Sequence, residues 1–221
     1  MKVKNLLIAA TLFVSSASII SAAPEMVSAA PSTSMQQNVS IKNTSLTKQG
    51  YIVRLKQDSS IKVYVGKGNY KKLSKSVIPL KNAKTVSTRA VKNVKFRIEK
   101  IAYMKSKGLG APEYLIASKN KKYSTWVTQA DLEYYYLNSK SMKNVKKYLT
   151  RIAKRYSSNA DDPRGGSLKD KKNLKDFNSA VKAAKKLPAK QRKFVLKSLA
   201  EQKKVGNTNE VGNNILFFSI F

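Results

Sequence analysis

Two hydrophobic periods divide this sequence, and they constrain its fold more than any other feature. Between residues 51 and 127, apolar side chains alternate with polar ones in short runs. After about residue 140 they recur at every third or fourth position. A period of two belongs to half-buried strands and a period near 3.6 to helices packed on one face. Strands are therefore expected at Tyr51–Leu55, Ile61–Val65, Ser76–Leu80, Val94–Ile98, Tyr114–Ala117 and Tyr123–Val127. Val94–Ile98 puts three apolar residues on one face and Lys95 and Arg97 on the other. Gln57–Ser60, Gly66–Asn69 and Ser118–Lys122 read as turns.

The helical stripe opens with Val145, Tyr148, Leu149, Ile152, Ala153 and Tyr156, while Lys146, Lys147, Arg151, Lys154 and Arg155 fill the opposite face. A break follows at Asn159–Gly166. Ser167 and Asp170 then have the spacing of a capping box before a second stripe of Leu174, Phe177, Val181 and Ala184. Pro188 suits the first turn of a third helix, carrying Val195 and Leu199 and running through Lys204. The fold class expected is α+β, a small barrel- or sandwich-like β domain at 50–140 followed by a short helical hairpin or bundle at 141–204. Residues 205–221 are polar and then abruptly apolar, ending Ile215-Leu216-Phe217-Phe218-Ser219-Ile220-Phe221. That tail is too short to span a bilayer. It suits a docked terminal element or an interfacial anchor.

Residues 1–29 have the pattern of an export signal. Lys2 and Lys4 precede an uncharged run from Leu6 to Ile20, and small residues give cleavage points after Ala22 or Ala29. Residues 30–49 are rich in Ser, Thr, Asn and Gln and are expected to be a flexible linker. The protein is thus expected to be secreted and retained at the cell surface. The absence of cysteine in a secreted chain suits a Gram-positive bacterium.

Composition then narrows the chemistry. The chain has 44 Lys+Arg against 12 Asp+Glu, a net charge of +32, with no His and no Cys. Thiolate and histidine chemistry and the usual zinc ligand sets are excluded. No carboxylate pair stands out, so neither an enzyme nor a cofactor is expected. The charge is uniform: residues 30–139 and 140–204 each hold 21 bases and 5 acids. A net charge of about 2–8 suffices for solubility, so this excess points to a polyanionic partner. Only seven of the 44 bases are Arg. Readers of nucleic-acid sequence lean on Arg for bidentate contacts. A lysine cloud gives diffuse, salt-sensitive attraction to phosphates, and nucleic acid would bind it only non-specifically.

One segment resembles a known family. Phe96–Ile101 (Phe-Arg-Ile-Glu-Lys-Ile), Glu113–Ser118 (Glu-Tyr-Leu-Ile-Ala-Ser) and Tyr123–Leu132 (Tyr-Ser-Thr-Trp-Val-Thr-Gln-Ala-Asp-Leu) are similar to a wall-binding repeat of lactobacillal surface proteins. Such S-layer-protein-type and GW-type modules resemble bacterial Src-homology-type barrels. Trp126-Val127 and Asp131-Leu132 take the Trp-Val and polar-Asp-Leu positions, and Thr125 stands where GW modules have glycine. The resemblance implies attachment to an anionic wall polymer such as a teichoic acid, without catalysis.

The candidate polyanion-binding residues are Lys95, Arg97, Lys119, Lys121 and Lys122 among the strands, with Lys146, Lys147, Arg151, Lys154 and Arg155 on the first helix. Tyr134, Tyr135 and Tyr136 are candidates for stacking on sugar rings, against the alternative that they alternate between core and surface. Trp126 reads as a core anchor. Two further partners fit the same charge. A membrane surface would make the protein antimicrobial, by way of the cationic helix and apolar tail, and a host glycan would make it an adhesin.

Overall fold

The computed structural model describes residues 39–42, 45–57, 59–104, 112–157, 166–218 and 220. The expected export signal with both cleavage points lies outside them, as do residues 158–165 of the expected break and the side chain of Tyr156. The described residues form one compact unit.

Its frame is a curved antiparallel sheet that forms a half-barrel. The strands are β1 (Val39–Lys42), β2 (Val53–Leu55), β3 (Lys62–Val65), β4 (Thr85–Ser87), β5 (Phe96–Met104), β6 (Glu113–Ser118), β7 (Tyr123–Val127) and β8 (Leu132–Tyr134). Their order is β4-β3-β7-β6-β5-β2-β8, with β1 added alongside the far end of β5. Among the described residues, four α-helices complete the fold: α1 (Lys67–Leu73), α2 (Lys143–Ser157), α3 (Lys171–Ala184) and α4 (Ala189–Val205). The α+β class and the run of strands followed by helices are as the two periods predict.

The inner face of the sheet carries Val53, Leu55, Val63, Phe96, Ile98, Ile101, Tyr114 and Ile116, all buried. The helices cover it with Val145, Leu149 and Ile152 of α2, Phe177 and Ala184 of α3, and Val195 and Leu199 of α4. One apolar cluster thus runs across residue 140, where the period changes. The C-terminal segment belongs to it: Ile215, Leu216, Phe217 and Phe218 are at most 2% exposed. Tyr114 packs on Phe218 with centroids 5.8 Å apart, and Tyr134 stacks on Phe194 of α4 at 4.6 Å. A buried polar latch holds the tail in place. The Gln202 amide donates to the carbonyls of Asn207 and Glu210, and the Asn214 amide donates to the Ser198 carbonyl and to Gln202 Oε1.

A smaller cluster lies on the outer face, where α1 covers Ala102, Leu115 and Trp126 with Leu73. Trp126 is buried as expected. Its Nε1 donates to the carbonyls of Leu73 and Ser76, at 2.9 and 3.0 Å, satisfying groups left over at the end of α1.

Several local expectations need correction. Gly66–Asn69 is no free turn: Gly66, at φ 107°, precedes α1, and Asn69 Nδ2 ties the helix start to the Val65 carbonyl. Ser76–Leu80 forms no strand, and the edge position beside β3 is taken by β4. Within the expected linker, residues 30–38, 43 and 44 lie outside the described residues, but 39–42 and 45–49 are part of the fold: β1 pairs with β5, and Leu46 is fully buried. At the start of α3, Asp170 is the cap, accepting from the Asn173 N–H at 2.8 Å, in place of Ser167.

The ordinary alternation of β5 would drive Lys100 inward. A bulge between Ile98 and Lys100 prevents this by adding one residue, Glu99, so that Ile101 returns to the inner face. Truncating the buried ring of Phe218 by Phe218→Ala is expected to cost about 3–5 kcal/mol in urea unfolding. Truncating the exposed Ile78 by Ile78→Ala should stay within about 0.5 kcal/mol.

Candidate polyanion-binding groove

The helix α2 forms because Val145, Leu149 and Ile152 fall on one stripe and bury completely, with Met142 just ahead of them. Its other side must face water, and the sequence fills that side with bases. The result is a shallow groove of about 570 Å³ along the helix, lined by Lys140, Lys143, Lys146, Lys147, Arg151 and Lys154. No acid lines it among the described residues; the remaining described walls are Leu137, Asn138, Ser139 and Thr150. Four of the five helix residues singled out from the sequence meet here. Lys140 and Lys143 join them although they precede the first residue of the apolar stripe, which is the sequence signal that marks the helix.

The groove begins at the N-terminal end of α2, whose first turn holds no acid. Cations there oppose the helix dipole by about 0.3–1 kcal/mol each at low salt. The sequence therefore keeps positive charge at a position where folding alone would favour an acid.

The fifth helix residue, Arg155, has another role. It pairs with Asp176 of α3 at 2.8 Å, and its Nε donates to Asn173 Oδ1 at 2.8 Å. Arg151 reaches the same carboxylate at a looser 3.7 Å while remaining exposed in the groove. Asp176 thus fastens α3 to α2 and removes Arg155 from the binding surface.

The strand residues divide in the same way. Arg97 and Lys121 both pair with Glu99, the extra residue of the β5 bulge; the Arg97 contact is 2.8 Å. Burial pushes the Glu99 carboxyl up, but hydrogen bonds from Arg97 and Lys121 outweigh it and hold the group below its ordinary value. Both cations also lie over aromatic rings, Arg97 on Tyr51 and Lys121 on Tyr70. This cluster staples the outer sheet face, so Arg97 and Lys121 are structural. Lys95 and Lys119 line a separate cleft of about 620 Å³ with Tyr51, Val94, Ser118 and Asn120. Lys122 is exposed beside Tyr123.

The three tyrosines do not make a sugar platform. Tyr134 is 1% exposed and stacked in the core. Tyr135 and Tyr136 are half-buried and stand edge-to-face at 83°, so they share no plane. The Lys95 ammonium sits 4.8 and 4.7 Å from their centroids and donates to the Tyr136 hydroxyl. Alternation between core and surface explains them better, with Tyr136 packing at the margin of the core.

The apolar tail is likewise unavailable as an anchor while folded, because its described residues from Ile215 to Phe218 are core. No helix among the described residues is long and apolar enough to cross a membrane.

Fold and groove together define a lysine-rich α+β protein with a cationic helix displayed on a curved sheet. The chain is 51% identical over 156 residues to a Lactobacillus helveticus protein described as an uncharacterized protein in the hlv 5′ region; the match covers 71% of this chain and 94% of that protein. The chain belongs to the family of that lactobacillal protein. No family model matches it, and no solved structure does.

The Glu99 staple gives a pH-dependent prediction. Its folded carboxyl titrates below 4.5, so its contribution is complete above that value and is lost as pH falls through the lower folded value. Glu99→Gln should therefore cost about 1–3 kcal/mol in urea unfolding at pH 7. The difference from the native protein should vanish in acid.

Proposed function

We propose that this protein is secreted, stays at the bacterial surface, and binds anionic wall polymers of the teichoic-acid kind without catalysing a reaction. The observation that carries this reading is the α2 groove: six bases from one helix and its approach, with no acid among the described lining residues. Lysine supplies compact, hydrated point charges on flexible stems, suited to a chain of phosphates with no fixed planar pattern to read. Binding would be driven by release of the polymer's counterions and would weaken steeply with salt.

Three further facts support this. The leader-like residues 1–29 suit export, the lactobacillal relative suits a Gram-positive setting, and the repeat at 94–132 resembles wall-binding modules. A membrane-active role has less support, since it would require the buried tail to leave the core. Host glycans carry the same negative charge and would meet the same groove.

The test is binding of the mature protein to intact Gram-positive cells and to walls stripped of teichoic acid, across a salt titration. Binding should fall at least tenfold between 50 and 200 mM salt, as expected for about three phosphate contacts on a single-stranded polymer. It should disappear on the stripped walls. Binding that survives both treatments would contradict the proposal.

A further inference from the structure

The spacing of charges in the α2 groove points to the shape of its ligand, not only to its sign. Lys140, Lys143, Lys147, Arg151 and Lys154 follow one another at steps of three or four residues. With a helical rise of about 1.5 Å per residue, neighbouring bases along this seam are roughly 4.5–6 Å apart and the seam is roughly 20 Å long. Lys146 forms a parallel flank, with its Nζ donating to Asn138 Oδ1 at the groove wall. Among the described residues, Lys140, Lys143 and Lys147 are exposed and make no ion pair with an acid.

A charge ladder of that pitch fits a linear polymer lying parallel to the helix. A phosphodiester chain with three carbons between phosphates has a six-bond repeat, which extends to roughly 6–7 Å. Lysine stems absorb the small mismatch. The groove would then hold about three or four consecutive phosphates. The phosphate at the Lys140–Lys143 end would meet the positive end of the helix dipole, where anions are favoured and the native cations are not.

The groove also lacks what a nucleic acid would use. No aromatic ring is among its described lining residues, and the neighbouring half-buried Tyr148 ring lies under Arg151, whereas proteins that bind single-stranded nucleic acid stack successive bases on aromatic side chains. A phosphodiester chain without bases leaves no such requirement unmet.

We infer that the α2 groove binds an extended poly(glycerol phosphate)-type chain along the helix axis, about one phosphate per turn. This rests on the polyanion reading above and specifies its ligand.

The experiment uses the mature protein and synthetic oligo(glycerol phosphates) of two to twelve repeats, with binding followed by calorimetry at several salt concentrations. Affinity should rise steeply with length up to about four repeats and then flatten. At saturation length the slope of log K against log salt should be about −2 to −3, from about 0.7 per neutralised phosphate. The triple variant K140E/K143E/K147E should lose at least tenfold in affinity and flatten that slope. A control with the same charge change on exposed residues of the α3–α4 region, K185E/K190E/K193E, should lose less than threefold. Circular dichroism checks that both variants are folded.

Several outcomes would overturn the inference. Equal losses in the two triples would mean that binding is a property of the whole surface, leaving the polyanion reading intact while removing the groove. Inositol hexakisphosphate matching the four-repeat chain would show that a linear ligand is not required. Single-stranded DNA of equal charge binding more tightly would overturn the polymer class. Failure of the native protein to bind any of these at low salt would remove both the inference and the reading beneath it.

Discussion

The fold depends on closure of one apolar face. A chain of net charge +32 repels itself in any compact state, and among the described residues no ion-pair network is large enough to cancel that. Compaction therefore rests on a core that joins distant parts of the sequence. The inner face of the half-barrel is covered by α2, α3 and α4, and the aromatic C-terminus fills the remaining space. Tyr134 on Phe194 and Tyr114 on Phe218 bring strands together with the last third of the chain. Without the helices and the tail, the sheet's inner face would be open to water.

Five of the described acids hold the fold together. Glu99 staples the β5 bulge to the β6–β7 turn, and Glu133 pairs with Arg54 across β2 and β8. Asp131 closes a capping box with Thr128 and accepts from the Ser59 hydroxyl. Asp170 caps α3, and Asp176 fastens α3 to α2. Each position uses an acid to hold backbone or elements in place, and none lies in the α2 groove. The net charge is thus displayed on the outside. This division separates Arg97, Lys121 and Arg155, which hold the structure together, from Lys140, Lys143 and Lys147, which are exposed and make no ion pair with an acid among the described residues.

Much of this was legible locally. The alternation at 94–98 and the short apolar- and aromatic-rich runs at 114–117 and 123–127 locate β5, β6 and β7, and the stripe from Val145 locates α2, because each signal lies within one element. What the sequence hid was non-local. Tyr51–Leu55 and Ile61–Val65 look like neighbours across a short turn, yet β2 pairs with β5 and β8 while β3 pairs with β4 and β7. No local pattern records such partners. The break in alternation at Glu99-Lys100 was a visible signal of the bulge, since continuing the period would bury a lysine. For Tyr134–Tyr136 the sequence left a platform and an alternation between core and surface both open; β8 ends at Tyr134 and the chain then turns, so Tyr135 and Tyr136 stand edge-to-face and share no plane. The groove was legible as a basic helix face, but its first two lysines were not, because they precede the stripe that marks the helix.

Sheet, helices and C-terminal tail share one core, and the groove is displayed on a helix that this core holds in place, so the three should unfold as one cooperative unit. Equilibrium urea unfolding tests this directly when followed by two probes. Trp126 fluorescence reports on the outer face of the sheet, and circular dichroism at 222 nm reports mainly on the helices. The account predicts superimposable transitions with a single midpoint. A helical signal lost at lower urea than the Trp126 signal would contradict it, and would show the sheet standing as a domain of its own with the cationic helices attached loosely to it.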